Sequence, residues 1–259
     1  MSYDGFDLSG FPSGVHLGTP TGALIAVLGL ADPLVVEGLD GAPRGGGCFA
    51  SVSAGLRTRS VGIHHSGRQH GLTLSLTPRG ARALYGVPAA ALANTVVPLE
   101  ELLGSLGPEL LDRVRVAPTW AARFGALDEL LLTAVRRRAG SGAAARDVRP
   151  EVAELWRRLV AGRGRVQVAA LTTGLGLSRR LLTERFRAEM GWSPKTIARI
   201  IRFEHAHRLA AQGALSWAEL SHRSGYADQA HLTREWRGFT GRTPTGWRQD
   251  EILLERPAG

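Results

Sequence analysis

Apolar positions change their period along the chain. Over Gly22 to Leu30, Phe49 to Ser53, Arg59 to Ile63 and Leu72 to Leu76, short apolar or alternating runs are separated by Gly, Pro and Asp clusters. Such runs predict strands of a small β-rich domain. GAPRGGG, at Gly41 to Gly47, is a loop, because consecutive glycines cost too much entropy inside an element. Beyond Pro78 the period becomes helical. Pro88 to Gly104 and Glu109 to Val116 are candidate helices, and Pro118 can start a longer one with Trp120, Phe124, Leu127, Leu131 and Val135 on one face. That helix ends in Arg136, Arg137 and Arg138, which suit the negative end of its dipole and read as a solvated helix end.

AGSGAAARDVR, at Ala139 to Arg149, has the composition of a flexible connection. The expected organisation is therefore α+β with two domains: a sensing or assembly domain over residues 1–138, a linker over 139–149, and an all-helical domain over 150–259.

The helical part contains an internal repeat. VAALTTGLGLSRRLLTERFRAEMGWSP (Val168 to Pro194) aligns with WAELSHRSGYADQAHLTREWRGFTGRTP (Trp217 to Pro244) once one extra residue is allowed in the turn. Each copy reads as a helix-turn-helix, over about residues 166–191 and 215–241. Ala169 and Ala218 leave room for a close helix crossing, and Leu171 and Leu220 face the core. Gly176 and Gly225 supply a turn of positive φ, and Ser178 and Asp228 cap the following helix. Leu182 with Phe186, and Leu232 with Trp236, lie four apart and face inward, as do Tyr226 and Trp217. Outward remain Arg179, Arg180, Thr183, Glu184 and Arg187 in the first copy, and Gln229, Ala230, Thr233, Arg234 and Arg237 in the second. These are groups of the kind that read base edges or hold phosphates; the Glu184 carboxylate would have to accept from cytosine N4, and the Ala230 methyl could touch thymine. Arg185, Glu189 and Glu235 are expected to pair on the surface. Between the copies, Pro194 opens a helix through about Ala211. At 1.5 Å per residue it spans about 27 Å, close to the ~34 Å between successive major grooves on one face of DNA. Tandem copies in one chain imply a target of two unequal segments rather than a palindrome.

Residues from about Pro150 to Glu255 resemble the DNA-binding domain of the AraC/XylS family of bacterial transcription regulators. The resemblance rests on A-x-L, G-L-S and L-x-x-x-F-R-x-x-x-G-x-S-P over 169–194, and on G-Y-A-D and L-x-x-x-W-R-x-x-x-G-x-T-P-x-x-W-R over 225–248. It implies that the helices from Ser178 and Asp228 each enter a major groove. Trp236 and Trp247 stand where the family usually has Phe and Tyr. TPRGARALYGVPAAALANTVVPLEELLG (77–104) is similar to the N-terminal region of AraC-type regulators whose first domain is a cupin-like β-barrel followed by helices.

Charge sharpens this division. Residues 1–148 carry 13 basic and 12 acidic side chains, whereas 149–259 carry 19 and 11, so the formal charge of +9 sits almost wholly in the second part. That half has the electrostatic footprint of a polyanion binder. Cys48 is the single cysteine, which excludes an internal disulfide or a cysteine zinc site. The chain start has no signal-peptide pattern and the longest apolar stretch, Ala23 to Ala31, is too short to span a bilayer, so a cytoplasmic, nucleoid-associated protein is expected.

His64, His65 and His70 invite a metal reading, but adjacent residues on a strand point to opposite faces, and no carboxylate occurs between Asp40 and Glu100. No metal or cofactor is expected. The expected partners are double-stranded DNA, RNA polymerase, a small-molecule effector, and a second copy packing on the Pro118 to Arg138 helix; no membrane is expected. The rival is a DNA-binding enzyme, either an alkyl-transfer repair protein or a metal-dependent cupin. The first requires an activated thiol and the second a histidine and carboxylate cluster.

Overall fold

The structure is a computed structural model describing residues 1–37, 46–140, 147–165, 174, 176–213 and 215–255. Its N-terminal part is β-rich. The strands are β1 (Ser2–Ser9), β2 (Gly14–Gly18), β3 (Leu24–Gly29), β4 (Leu34–Val36), β5 (Gly47–Phe49), β6 (Ser51–Ala54), β7 (Val61–His65), β8 (Arg68–Leu76) and β9 (Val96–Pro98). They form two antiparallel sheets, ordered β1-β8-β3-β6-β9 and β2-β7-β4-β5.

Strand alternation gives the larger sheet two different faces. Leu24, Ala26 and Leu28 of β3 and Leu72, Leu74 and Leu76 of β8 are buried in one continuous core shared with the helices. The intervening Ile25, Val27 and Thr73 line a cavity whose wall also takes Ile63 and His65 of β7 in the second sheet.

The helices beside the sheet are α1 (Pro78–Tyr85), α2 (Leu99–Leu103), α3 (Leu106–Val116) and α4 (Trp120–Gly140). Thr77 caps α1 by accepting from the Gly80 amide, and Pro78 occupies the first turn, where a missing N–H costs nothing.

Several expectations are corrected. Phe49 to Ser53 is two strands, broken at Ala50. Pro88 to Gly104 is a 3-10 turn (Ala89–Leu92), then β9, then α2, because Asn94 takes a positive φ of 55° and Pro98 stands ahead of α2. On α4 the buried stripe is Ala126, Leu127, Leu130, Leu131 and Ala134, and Val135 is exposed. Arg138 does not end a solvated helix. Its guanidinium donates to the carbonyls of Leu84 (2.7 Å) and Leu102 (2.9 Å), helix-end acceptors that lack an intrahelical donor. Most of the expected loop at 41–47 and of the linker at 139–149 lies outside the described residues.

The C-terminal part is helical: α5 (Pro150–Ala161), α6 (Arg179–Met190), α7 (Pro194–Ala211), α8 (Trp217–Arg223), α9 (Gln229–Thr240) and α10 (Pro244–Glu255). It docks on the β-rich part through specific contacts. Arg82 of α1 pairs with Glu189 of α6 at 2.9 Å, and Trp192 donates its indole N–H to the Leu56 carbonyl at 3.0 Å. Ser60 donates its backbone N–H to the Phe239 carbonyl, and Glu204 of α7 accepts from the Gly22 amide.

Candidate nucleic-acid interface

Two helices, α6 and α9, are built alike. Ser178 caps α6 by accepting from the Leu181 amide, and Asp228 caps α9 by accepting from the His231 amide at 2.6 Å. Each ends in a left-handed glycine, Gly191 (φ 80°) or Gly241 (φ 74°), and is followed two residues on by an N-cap and a proline. Gly176 and Gly225 have the expected positive φ, 68° and 77°. The segment expected to form the first helix of the first unit, with Ala169 and Leu171, lies outside the described residues.

Inner faces hold both helices firmly. Leu182, Phe186, Leu232 and Trp236 are fully buried, and Tyr226 nearly so. Trp236 sits among Phe203, His207, Trp217 and Trp247, with ring centroids 5.2–5.8 Å away. Burial holds the His207 imidazole neutral by pushing its pKa down to about 4. Trp217 is half-buried, its ring covered by the Arg248 guanidinium at 3.9 Å. Ala218, expected at a close helix crossing, is exposed.

On the outer faces, Arg179, Arg180, Glu184 and Arg187 of α6 are exposed, as are Gln229, Ala230, Arg234 and Arg237 of α9. Thr183 and Thr233 are half-buried and make the same bond, each hydroxyl donating to the carbonyl four residues back, at 2.8 and 2.9 Å. Arg180 and Glu184 pair at 3.0 Å with side chains 90% and 59% exposed. Such a pair holds little energy in water and can exchange partners when a phosphate or base arrives.

The three charges expected to pair at the surface do pair, but away from solvent. Glu235 is 8% exposed and accepts from Arg199 (2.6 Å) and Arg202 (3.2 Å) of α7. Glu189 meets Arg82, and Arg185 meets Glu151 of α5 at 2.6 Å. These bonds fix α6 and α9 onto their neighbours and leave the outer faces to other partners. Between the two units runs α7, 18 residues from Pro194 to Ala211, or about 27 Å.

The helix-turn-helix pair α8 and α9, with a second helix of the same build in α6, defines the class: a helix-turn-helix DNA-binding protein with an N-terminal β-rich domain. Residues 171–250 match the family described as a helix-turn-helix domain. No curated protein sequence matches the chain. Solved structures of ToxT from Vibrio cholerae share the fold. One aligns over 98% of this chain and 99% of that chain, with a TM-score of 0.53 and 8% identity. The unsaturated-fatty-acid-bound protein aligns over 98% and 95%, with a TM-score of 0.54 and 10% identity. The complex with (E)-4-(8-methylnaphthalen-1-yl)but-3-enoic acid aligns over 98% and 98%, with a TM-score of 0.55 and 11% identity.

Of the three histidines considered for metal, His64 meets Glu37 at 3.0 Å, a carboxylate that precedes the segment searched for one in the sequence. His70 meets Arg123 at 3.1 Å, and His65 stacks on His16. Among the described residues, no group of three or more His, Cys, Asp or Glu is placed to hold a metal ion. Nor is any described helix long and apolar enough to cross a membrane. Sequence reasoning missed His16, which β2–β7 pairing brings to the cavity wall, and Arg57, buried in the segment between β6 and β7.

Proposed function

We propose that the protein is a sequence-specific transcription regulator that inserts α6 and α9 into successive major grooves of double-stranded DNA. The observation that supports this best is the equivalence of the two helices: the same caps, the same threonine back-bond, and polar outer faces. Arg180, Thr183, Glu184, Gln229, Ala230, Thr233 and Arg234 face the bases, and Arg179, Arg187 and Arg237 clamp phosphates. The target is two unequal half-sites in tandem, and the bound protein contacts RNA polymerase.

The N-terminal part governs this activity through an effector or a second copy. Support for an effector comes from the cavity between the sheets, about 1340 Å³, and from the fold shared with ToxT, one structure of which holds an unsaturated fatty acid. Support for self-association comes from α3 and α4, where Val116, Leu132 and Val135 are exposed.

Selection from random duplexes with the purified full chain, followed by titration of the selected sequence at several salt concentrations, tests the reading. It expects a bipartite asymmetric site and a slope of log K against log salt near −0.9 per phosphate contacted. Enrichment of no sequence would overturn it.

A further inference from the structure

The cavity between the sheets has a polar end that nothing described so far uses. Its walls are apolar, supplied by Ile25, Val27, Leu34, Val36, Val52 and Ile63. At one end, His65 of β7 and His16 of β2 stack with ring centroids 5.7 Å apart, and Phe11 meets the His65 ring edge-on at 4.9 Å. The β2–β7 register accounts for this, since Gly14 lies opposite His65 and His16 opposite Ile63, leaving both rings over the same glycine-lightened strand. Both ring nitrogens of His65 are buried and have no hydrogen-bond partner. A neutral imidazole carries one donor and one acceptor, and native interiors rarely leave both unmade. His16 is half satisfied: the Gln69 amide donates to its Nδ1 at 3.2 Å, which places the His16 proton on Nε2.

We propose that this cavity binds an uncharged, largely apolar molecule bearing one hydroxyl, phenol or amide head, which exchanges hydrogen bonds with His65 and the His16 Nε2–H. The proposal rests on the effector reading above and names the ligand class. It differs from the acids bound to ToxT.

The charges around the cavity favour a neutral ligand. Among the described residues its wall includes the carboxylates Asp7 and Asp32 and one exposed cation, Arg68. His64 is matched by Glu37, and His70 accepts from Arg123. Burial pushes the His16 pKa down to about 4 and lowers that of His65, so both rings are neutral near pH 7. A carboxylate at the His16–His65 end would lose its hydration beside two neutral imidazoles. The nearest buried cation, Arg57, lies beyond Ile63, where its Nη2 donates to the Gly18 and Thr19 carbonyls, each at 3.4 Å.

A matched pair of probes separates these cases: decan-1-ol and decanoate, titrated calorimetrically into the full chain at pH 7.5, with the selected DNA duplex titrated in parallel. Decan-1-ol is expected to bind about tenfold tighter or more. His65→Phe should lose about tenfold in decan-1-ol affinity, and His65→Gln, which restores a donor and an acceptor, should recover most of it. Tighter decanoate binding that Arg57→Gln abolishes would overturn the proposal while keeping the effector reading. Binding of neither probe, or equal decan-1-ol affinity in His65→Phe and the parent, would also overturn it. Decan-1-ol binding that leaves DNA affinity unchanged would instead sink the effector reading and keep the ligand class.

Discussion

Gly191 and Gly241 occupy equivalent positions in the two units, and alanine at each separates local strain from docking. Both are left-handed helix caps, with φ of 80° and 74°. An L side chain in that conformation costs about 1–2 kcal/mol, partly offset by about 0.4–1 kcal/mol from restricting the unfolded chain. That much is common to both substitutions. Their surroundings differ. A Cβ on Gly241 meets nothing within 4 Å, whereas a Cβ on Gly191 comes 2.5 Å from Ala93 Cβ and 3.2 Å from Ala90 Cα. Those atoms belong to the 3-10 turn of the N-terminal part, which is pinned by bonds from the Asn94 amide to the Leu56 carbonyl and from the Thr95 amide to the Leu92 carbonyl, both 3.1 Å. Forcing a methyl into such a packed contact costs about 1–3 kcal/mol more. Gly241→Ala should therefore cost about 1 kcal/mol and Gly191→Ala about 2–4 kcal/mol. Urea unfolding followed by circular dichroism measures both. Equal losses would refute the claim that α6 packs on the 3-10 turn.

Three further outcomes follow from the same geometry. Gln229→Ala or Arg234→Ala should cost about 1–3 kcal/mol on the selected sequence and relax preference at single positions, whereas Arg237→Ala should weaken all sequences alike and reduce the salt slope by about 1; competition binding on a mutated-site panel distinguishes the two patterns. Because burial depresses the pKa of His207 and His16 to about 4, below the ordinary 6.5, stability is present above pH 6.5 and is lost as pH falls from there to 4. Each should lose about 2 kcal/mol between pH 7 and pH 5, and His207→Gln should flatten its share of the urea midpoint's pH profile. Glu189→Ala should cost about 2–3 kcal/mol, less than a fully buried pair, since the two side chains retain 14% and 16% exposure; a double-mutant cycle with Arg82→Ala that shows no coupling would refute the ion pair.

The helical half was legible because its signals are local. Caps, turn glycines and four-residue apolar spacing lie within each unit, and the second copy fixed the alignment of the first. The β-rich half was not, since a strand such as Ser2–Ser9, SYDGFDLS, is polar and mostly exposed and owes its existence to pairing with β8, some 65 residues away. The same reason hid the roles of Arg138 and Glu235. A charge run at a helix end and a glutamate on a recognition helix look solvated in sequence, and only long-range packing supplies the carbonyls and arginines that sequester them.

That long-range packing also breaks the symmetry of the repeat. The two units are alike in sequence, yet they meet the N-terminal part differently. The end of α6 is held by a charged pair, an indole hydrogen bond and a glycine pressed against Ala93, all within four residues. The end of α9 is held by the Ser60 amide and hydroxyl, both donating to the Phe239 carbonyl, at 2.8 and 3.1 Å. Glu189 and Trp192 have as counterparts Phe239 and Arg242. The copies therefore diverge at the docking contact as well as on their outer faces, while the turn glycines and prolines that shape each unit are kept. A displacement of α1 or the 3-10 turn would pull on α6 through the Arg82–Glu189 pair and the Ala93–Gly191 contact, so the first unit is mechanically tied to these elements of the N-terminal part.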